Sequence, residues 1–321
     1  MSRTAVARTP VVVVTGFLGS GKTTLVNQML AGGRLGRVAA LVNDFGSINI
    51  DAELIASVAD EVVQLTNGCV CCTINGDLYG AVERTLLLEP RVDTIVVETT
   101  GLADPLPVGL TFLQTDLRER TSLEAIVTVV DCAEFALDLF ETGPPLAQIV
   151  HGDVIVLNKT DLVNAETVES LERRIAVLKP RARTLRSRYG RVPFALLLGD
   201  APGGRLEPGH EHDPNERHEH DDGFRAHAIR LDTPLSAERF QSLLDSGLPA
   251  GVFRAKGFVR FDQEPQAYLF QLCGSRASFD PWDAEVAGAE LVFIGRDFEP
   301  AALEARVSSC VDSRLTAGAR M

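Results

Sequence analysis

Residues 16 to 23, Gly16-Phe17-Leu18-Gly19-Ser20-Gly21-Lys22-Thr23, have the types and spacing of a loop that holds a polyphosphate. Glycines let the backbone pass close to the anion, and successive N–H groups together with the N-terminus of a following helix face it. Lys22 can reach the β- and γ-phosphates, and the Thr23 hydroxyl can ligate Mg²⁺. The expected nucleotide-contacting set is Gly16, Gly19, Ser20, Gly21, Lys22, Thr23 and the next residue, Thr24. A glycine-rich turn that binds nothing is the bland alternative. It is disfavoured because the motif's two required flanks are present, an apolar run Val11 to Val14 before the loop and a helical stretch Thr24 to Leu30 after it.

A second group is Asn158-Lys159-Thr160-Asp161, which closes the apolar run Val154 to Leu157. The Asp161 carboxylate can accept the guanine N1–H and exocyclic N2–H₂ together, a donor pair that adenine lacks. The Lys159 stem would pack over the base and Asn158 would brace the loop, so a wrong base would leave a buried carboxylate unpaired. By itself the tetrapeptide is equally a polar strand-end turn; downstream of a phosphate loop it points to GTP. The run Thr94-Ile95-Val96-Val97-Glu98-Thr99-Thr100-Gly101 ends an apolar strand in an acid and a glycine. Nucleotide hydrolases place there the acid that organises Mg²⁺ and the loop that senses the γ-phosphate. Glu98 is the candidate acid, with a helix-capping carboxylate as the alternative. Asn43-Asp44-Phe45-Gly46-Ser47-Ile48-Asn49-Ile50-Asp51 begins at another strand end and reads as a switch segment in which Asp44 and Asp51 could hold metal or orient water. Lys22, Asp44 and Glu98 are the expected catalytic residues.

The third group is Gly68-Cys69-Val70-Cys71-Cys72. Thiolates bind Zn²⁺ and other borderline or soft cations tetrahedrally at about 2.3 Å, and closely spaced thiols supply two or three such ligands. No second C-x-x-C closes a structural four-cysteine site, which favours an exchangeable metal over a permanent staple. A redox dithiol or plainly buried cysteines are the competing readings. Cys132, Cys273 and Cys310 stand alone among apolar neighbours and are expected in the core.

The elements that must position these groups follow from the hydrophobic pattern. Strands are expected at Val11 to Thr15, Val38 to Asn43, Val62 to Leu65, Thr94 to Glu98, Ala125 to Asp131, Val154 to Asn158 and Phe194 to Leu198. Helices are expected at Gly76 to Leu88, Leu106 to Leu117, Ala133 to Phe140 and Ala165 to Leu178. The alternation implies an α/β domain with a doubly wound, mostly parallel sheet whose ligand groups gather at the carboxyl ends of the strands. At 321 residues the chain suggests two domains. The expected division is a P-loop GTPase domain over 1–199, a linker over 200–223 and a smaller α+β domain over 224–321. In that last domain strands are expected at Phe224 to Leu231, Gly251 to Phe261, Gln266 to Leu272 and Glu290 to Gly295, and helices at Ala237 to Leu244 and Pro300 to Cys310.

The linker carries carboxylates from Glu207 to Asp222 and the histidines His210, His212, His218 and His220. It is too poor in apolar residues to fold alone. A weak metal-collecting arm and a solvated spacer are both open readings, and as a flexible chain it would span on the order of 20 to 25 Å. His151 and His227 read as ordinary helix and strand-edge residues. A net charge of −13 argues against a nucleic acid or anionic membrane partner. No apolar stretch approaches the roughly 18 to 20 residues of a membrane helix, the first residues lack the apolar core of a signal peptide, and six cysteines are too few for a disulfide scaffold. The cytoplasm is the expected location.

On the residues quoted above the chain resembles the CobW-type P-loop GTPases, relatives of the UreG and HypB metallochaperones that include zinc and cobalt chaperones and nitrile hydratase activators. The resemblance extends through Ala103-Asp104-Pro105 and, in the second domain, Arg254-Ala255-Lys256-Gly257, Trp282 and Leu291 to Arg296. It implies a GTPase whose Cys69, Cys71 and Cys72 hold Zn²⁺ or Co²⁺ near GTP and Mg²⁺, with hydrolysis releasing the metal to a client metalloprotein; homodimerisation is left open. Thr23 and Glu98 would organise Mg²⁺. A nitrile hydratase-type activator acting by docking, and a nucleotide switch with redox-active cysteines, are the alternatives. The chain departs from the family at Ser47, where an acid is usual, and at Asp44, where a longer acid is usual, so no switch carboxylate is carried over to the thiolates. Thr100 replaces the family's serine before the glycine and keeps its hydroxyl.

Overall fold

The computed structural model describes residues 8–31, 36–42, 62–64, 74–134, 143–198 and 225–311. The chain divides into two compact units, the first ending at Gly203 and the second beginning at Gly204.

In the first unit the described strands are β1 (Thr9–Thr15), β2 (Val38–Val42), β3 (Val62–Gln64), β4 (Thr94–Glu98), β5 (Thr121–Asp131), β6 (Val154–Asn158) and β7 (Arg183–Arg186). They form one parallel sheet in the order β3-β2-β4-β1-β5-β6-β7. The helices are α1 (Lys22–Ala31), α2 (Ile74–Leu86), α3 (Pro105–Gln114), α4 (Gly143–His151), α5 (Ala165–Leu178) and the short α6 (Ala195–Leu198). Val11 to Val14 are wholly buried, as continuous apolar strands must be when helices cover both faces of a parallel sheet. Burying each valine contributes about 1.5–3 kcal/mol. Val11 and Val13 share a core with Val82 of α2 and with Val108 and Phe112 of α3. Val168, Leu171 and Ile175 recur at helical spacing along α5 and pack with Ile155 and Leu157 of β6. Because β1 lies between β4 and β5, chain direction across the sheet reverses there, and the crevice at the carboxyl ends of these strands is where a ligand is expected.

Thr94–Glu98, Val154–Asn158 and Ala165–Leu178 occupy the residues expected for them. Phe194 to Leu198 is not a strand. Leu197 and Leu198 N–H donate to the Phe194 carbonyl, and Ala195–Leu198 forms a helical turn whose leucines are buried. A short apolar run cannot be told from a buried helical turn by periodicity. The last strand is instead β7, hidden by its Arg183 and Arg186; Arg183 is buried, and desolvation lowers its pKa to about 10. Where a helix was expected from Ala133, residues 132–134 form a bend in which the Ala133 and Glu134 N–H groups bond the Asp131 carboxylate. The rest of that stretch, 135–140, lies outside the described residues. α4 was masked in the sequence by its opening Gly143-Pro144-Pro145, although proline suits a first helical turn.

The second unit contains an antiparallel sheet in the order β11-β10-β9-β12-β8, built from β8 (Arg225–Leu231), β9 (Val252–Arg260), β10 (Ala267–Cys273), β11 (Arg276–Trp282) and β12 (Ala289–Gly295). Helices α7 (Ala237–Ser242), which runs on into a π turn over Leu243–Gly247, and α8 (Pro300–Ser308) supply Phe240, Leu243, Leu303 and Val307 to its core. β11 was not expected from sequence, since Asp280 and Pro281 weaken the strand pattern; at a sheet edge the proline is tolerated. The Phe240 and Phe270 rings meet edge to face with centroids 5.2 Å apart. Cys132, Cys273 and Cys310 are buried. Burial, followed by Asp131, pushes the Cys132 thiol up to about 11, which keeps it protonated.

Phe240→Ala should destabilise the second unit by about 3–5 kcal/mol through the lost transfer energy and the cavity left among the rings. Urea unfolding followed by fluorescence measures this, because Trp282, the chain's only tryptophan, packs against Phe258 in the same unit with ring centroids 4.7 Å apart.

Candidate functional site

The site is assembled from the loops that leave the carboxyl ends of β1, β4, β5 and β6. After β1 the backbone turns through Gly16 (φ 141°), Gly19 (φ 74°) and Gly21 (φ 99°) before entering α1 at Lys22. Gly16 and Gly21 are also required by close approach. A Cβ on Gly16 would lie 2.1 Å from the Val129 carbonyl oxygen of β5, and one on Gly21 would lie 2.4 Å from Asn158 Nδ2. At Gly19 a Cβ would meet open space. Lys22 folds back so that Nζ donates to the Phe17 carbonyl at 3.2 Å, with the residue only 8% exposed. Ser20 Oγ is buried inside the loop and has no hydrogen-bond partner among the described residues. An orphaned hydroxyl beneath a curl of backbone fits an anion that supplies acceptor oxygens.

Thr23 Oγ1 donates to Glu98 Oε1 at 2.8 Å, joining the start of α1 to the end of β4, and Glu98 is 2% exposed. A hydroxyl and a carboxylate oxygen this close form the hard, oxygen-only donor pair that suits Mg²⁺. Next to Glu98, Thr99 is anchored on β1: its N–H donates to the Val14 carbonyl at 2.9 Å and its hydroxyl to Thr15 Oγ1 at 2.9 Å.

Asn158 brings the phosphate loop and the turn Asn158-Lys159-Thr160-Asp161 together. Its Nδ2 donates to the Ser20 carbonyl at 3.0 Å, its Oδ1 accepts the Gly190 N–H at 3.0 Å, and the residue is 2% exposed. Lys159 follows with φ 60°, a left-handed conformation uncommon for a side-chain-bearing residue. Its ammonium pairs with Asp131 Oδ2 at 2.5 Å, while Asp131 Oδ1 accepts the Ala133 N–H at 2.9 Å. Thr160 donates through both N–H and Oγ1 to the Ser187 carbonyl. Asp161 is exposed on the turn beyond.

Two contributors went unnoticed in the sequence. Asp131 was counted only as a strand residue, although an acid at the end of β5, in register with Asn158 of β6, was the available signal. The loop Ser187 to Gly190 carries no sequence pattern, since it supplies backbone groups. Asp44, Asp51, Cys69, Cys71, Cys72, His210, His212, His218 and His220 lie outside the described residues. Among the described residues no group of three or more His, Cys, Asp or Glu side chains is placed to hold a metal ion, and no helix is long and apolar enough to cross a membrane.

Two family models match this chain. Residues 10–186 match the family model described as CobW/HypB/UreG, nucleotide-binding domain, and residues 224–311 match the one described as Cobalamin synthesis protein cobW C-terminal domain. A Sinorhizobium protein named zinc chaperone CobW is 31% identical over 94% of this chain and 97% of its own. The zinc-regulated GTPase metalloprotein activator 1 of Dictyostelium discoideum is 32% identical over 80% of this chain and 64% of its own. The zinc chaperone YjiA of Escherichia coli is 30% identical over 89% of this chain and 93% of its own.

The two loop glycines separate strain from contact. Gly19→Ala carries the left-handed penalty, about 1–2 kcal/mol, and meets no protein atom within 4 Å, whereas Gly21→Ala must also displace the Asn158 amide. Titration with a fluorescent guanine nucleotide should show Gly21→Ala losing at least roughly tenfold more affinity than Gly19→Ala. Equal losses would mean that Asn158 does not support the loop.

Proposed function

The chain belongs to the CobW/HypB/UreG family of nucleotide-binding proteins, and on that premise we propose that it is a GTP-hydrolysing metallochaperone that carries zinc, or cobalt, to a client metalloprotein in the cytoplasm. One observation supports this reading most directly: a single buried side chain, Asn158, hydrogen-bonds the phosphate loop while standing at the head of the guanine-reading tetrapeptide. Phosphate binding and base selection are thereby parts of one site. The chain comprises a GTPase domain over 1–199, a His- and acid-rich linker over 200–223 and an α+β domain over 224–321.

Lys22 and the N–H groups of Gly19, Ser20 and Gly21 neutralise charge on the β- and γ-phosphates, which is where catalysis of phosphoryl transfer chiefly lies. Thr23 and Glu98 would hold Mg²⁺, which would supply positive charge to neutralise the phosphates. Thr24 flanks the same phosphates. Asp44 orients the attacking water. Asp161 accepts the guanine N1–H and N2–H₂ while Lys159, steadied by Asp131, lies over the base. Cys69, Cys71 and Cys72 hold the cargo metal as thiolates, and the segments Asn43 to Asp51 and Glu98 to Gly101 connect cargo to nucleotide.

Coupling between cargo and nucleotide is reciprocal, so a non-hydrolysable GTP analogue should change zinc affinity by the same factor that zinc changes nucleotide affinity, typically about 5 to 150-fold. Competitive zinc titration with and without the analogue measures one arm, and nucleotide titration with and without zinc the other. Replacing Cys69, Cys71 and Cys72 by serine should abolish the linkage and leave GTP binding in zinc-free buffer intact. Identical zinc affinities in the two nucleotide conditions would sink the mechanism.

A further inference from the structure

The loop from Glu98 to the start of α3 is held firmly at both ends. Thr99 is bonded to β1, and at the far end Asp104 Oδ1 caps α3 by accepting the Leu106 N–H at 2.9 Å. Between these anchors Gly101 lies flat against the phosphate loop: a Cβ there would lie 2.6 Å from Leu18 Cδ2 and 2.8 Å from the Leu18 backbone nitrogen. The orientation of this middle segment is set from the other side by Gln148 of α4. Gln148 is 0% exposed, and its Nε2 donates to the Gly101 carbonyl at 3.2 Å and to the Ala103 carbonyl at 3.1 Å. Two acceptors face the amide, so the NH₂ edge must point at the loop; the opposite flip would set oxygen against oxygen. Its Oε1 is buried without a hydrogen-bond partner among the described residues. A glutamine that spends both donors on one loop and leaves its acceptor unused is a costly choice for a core position that a leucine or methionine could fill.

The anchor of Gln148 leads back to the same strand that backs the phosphate loop. Its carbonyl accepts the Thr128 hydroxyl at 2.5 Å, and Thr128 precedes Val129, the residue whose carbonyl closes over Gly16. Phosphate loop, β5, α4 and the Gly101–Ala103 segment thus form a closed ring of contacts. In a planar trans peptide the carbonyl and the following N–H point in opposite directions. Fixing the Gly101 and Ala103 carbonyls on α4 therefore aims the Leu102 and Asp104 N–H groups away from it.

We propose that Gln148 is a positioning residue for GTP hydrolysis, which holds the Gly101–Ala103 segment in its working orientation against the phosphate loop without touching the nucleotide. This rests on the reading of the site as a GTPase. Gln148→Met keeps the packing volume and removes both donors; Gln148→Glu keeps the shape but, ionised, turns both donors into acceptors. With the full chain, GTP and Mg²⁺, Gln148→Met should lower kcat roughly tenfold while KM for GTP and the affinity for GDP stay within about twofold. Hydrogen exchange should quicken at Leu102 and Ala103 but not in β5, and Gln148→Glu should lower kcat at least as far. If Gln148→Glu does not fold, Gln148→Met and its exchange pattern decide the matter. An unchanged kcat in Gln148→Met, with or without faster exchange, overturns the proposal, as does a parallel loss of GDP affinity, which would mark general damage to the phosphate site. Failure of the unsubstituted protein to hydrolyse GTP would overturn the GTPase reading itself, and that result is read before any variant is made.

Discussion

The first unit depends on the Asn158 side chain, a buried amide that reaches across from β6 to the Ser20 carbonyl of the phosphate loop and to the Gly190 N–H of the loop after β7. Each bond is worth only about 1 kcal/mol net, but loss of the amide would orphan a buried carbonyl and a buried N–H at about 1–3 kcal/mol each. The side chain also dictates its neighbour. Gly21 must be glycine because the Asn158 amide occupies the space where a Cβ would stand. Three loops distant in sequence are thus set to one another before any ligand arrives, which is the preorganisation that electrostatic catalysis needs.

Around that contact each strand end contributes a different kind of constraint. β1 contributes backbone curvature, β4 a buried carboxylate held by Thr23, β5 an acid that fixes the Lys159 ammonium, and β6 the brace itself. The left-handed backbone at Lys159 is tolerated because its ends are secured, Asn158 by two hydrogen bonds and Thr160 by Ser187. Strain of this kind persists where surrounding contacts over-determine it, and it concentrates at functional sites. The helices do more than cover the sheet. α4 reaches through Gln148 into the loop that follows Glu98, so the far side of the site is set by a helix with no recognisable motif.

The second unit follows a different logic, with an antiparallel sheet packed on one face by aromatic residues and two helices. Its Arg254 is buried, and desolvation lowers its pKa. In the sequence this arginine stands in Arg254-Ala255-Lys256-Gly257, part of the family resemblance. Its burial is decided by the central place of β9 in the sheet, where all but two of the strand's residues are buried.

What the sequence determined by itself was local. Residues Gly16 to Thr23 specify a phosphate loop because glycine, lysine and threonine at those offsets have little other use between a strand and a helix. Thr94–Glu98, Val154–Asn158 and Ala165–Leu178 were legible because long apolar runs and helical periodicity report burial directly. The tertiary structure decided whatever depended on neighbours. Phe194 to Leu198 became a helical turn, and arginine-bearing Arg183–Arg186 took the sheet edge, because hydrogen-bond partners and space are allotted by the whole domain. Asp131 and Gln148 became part of the site for the same reason. Neither belongs to a motif, and each acquires its role from groups on other strands and loops that only folding brings within 3.2 Å.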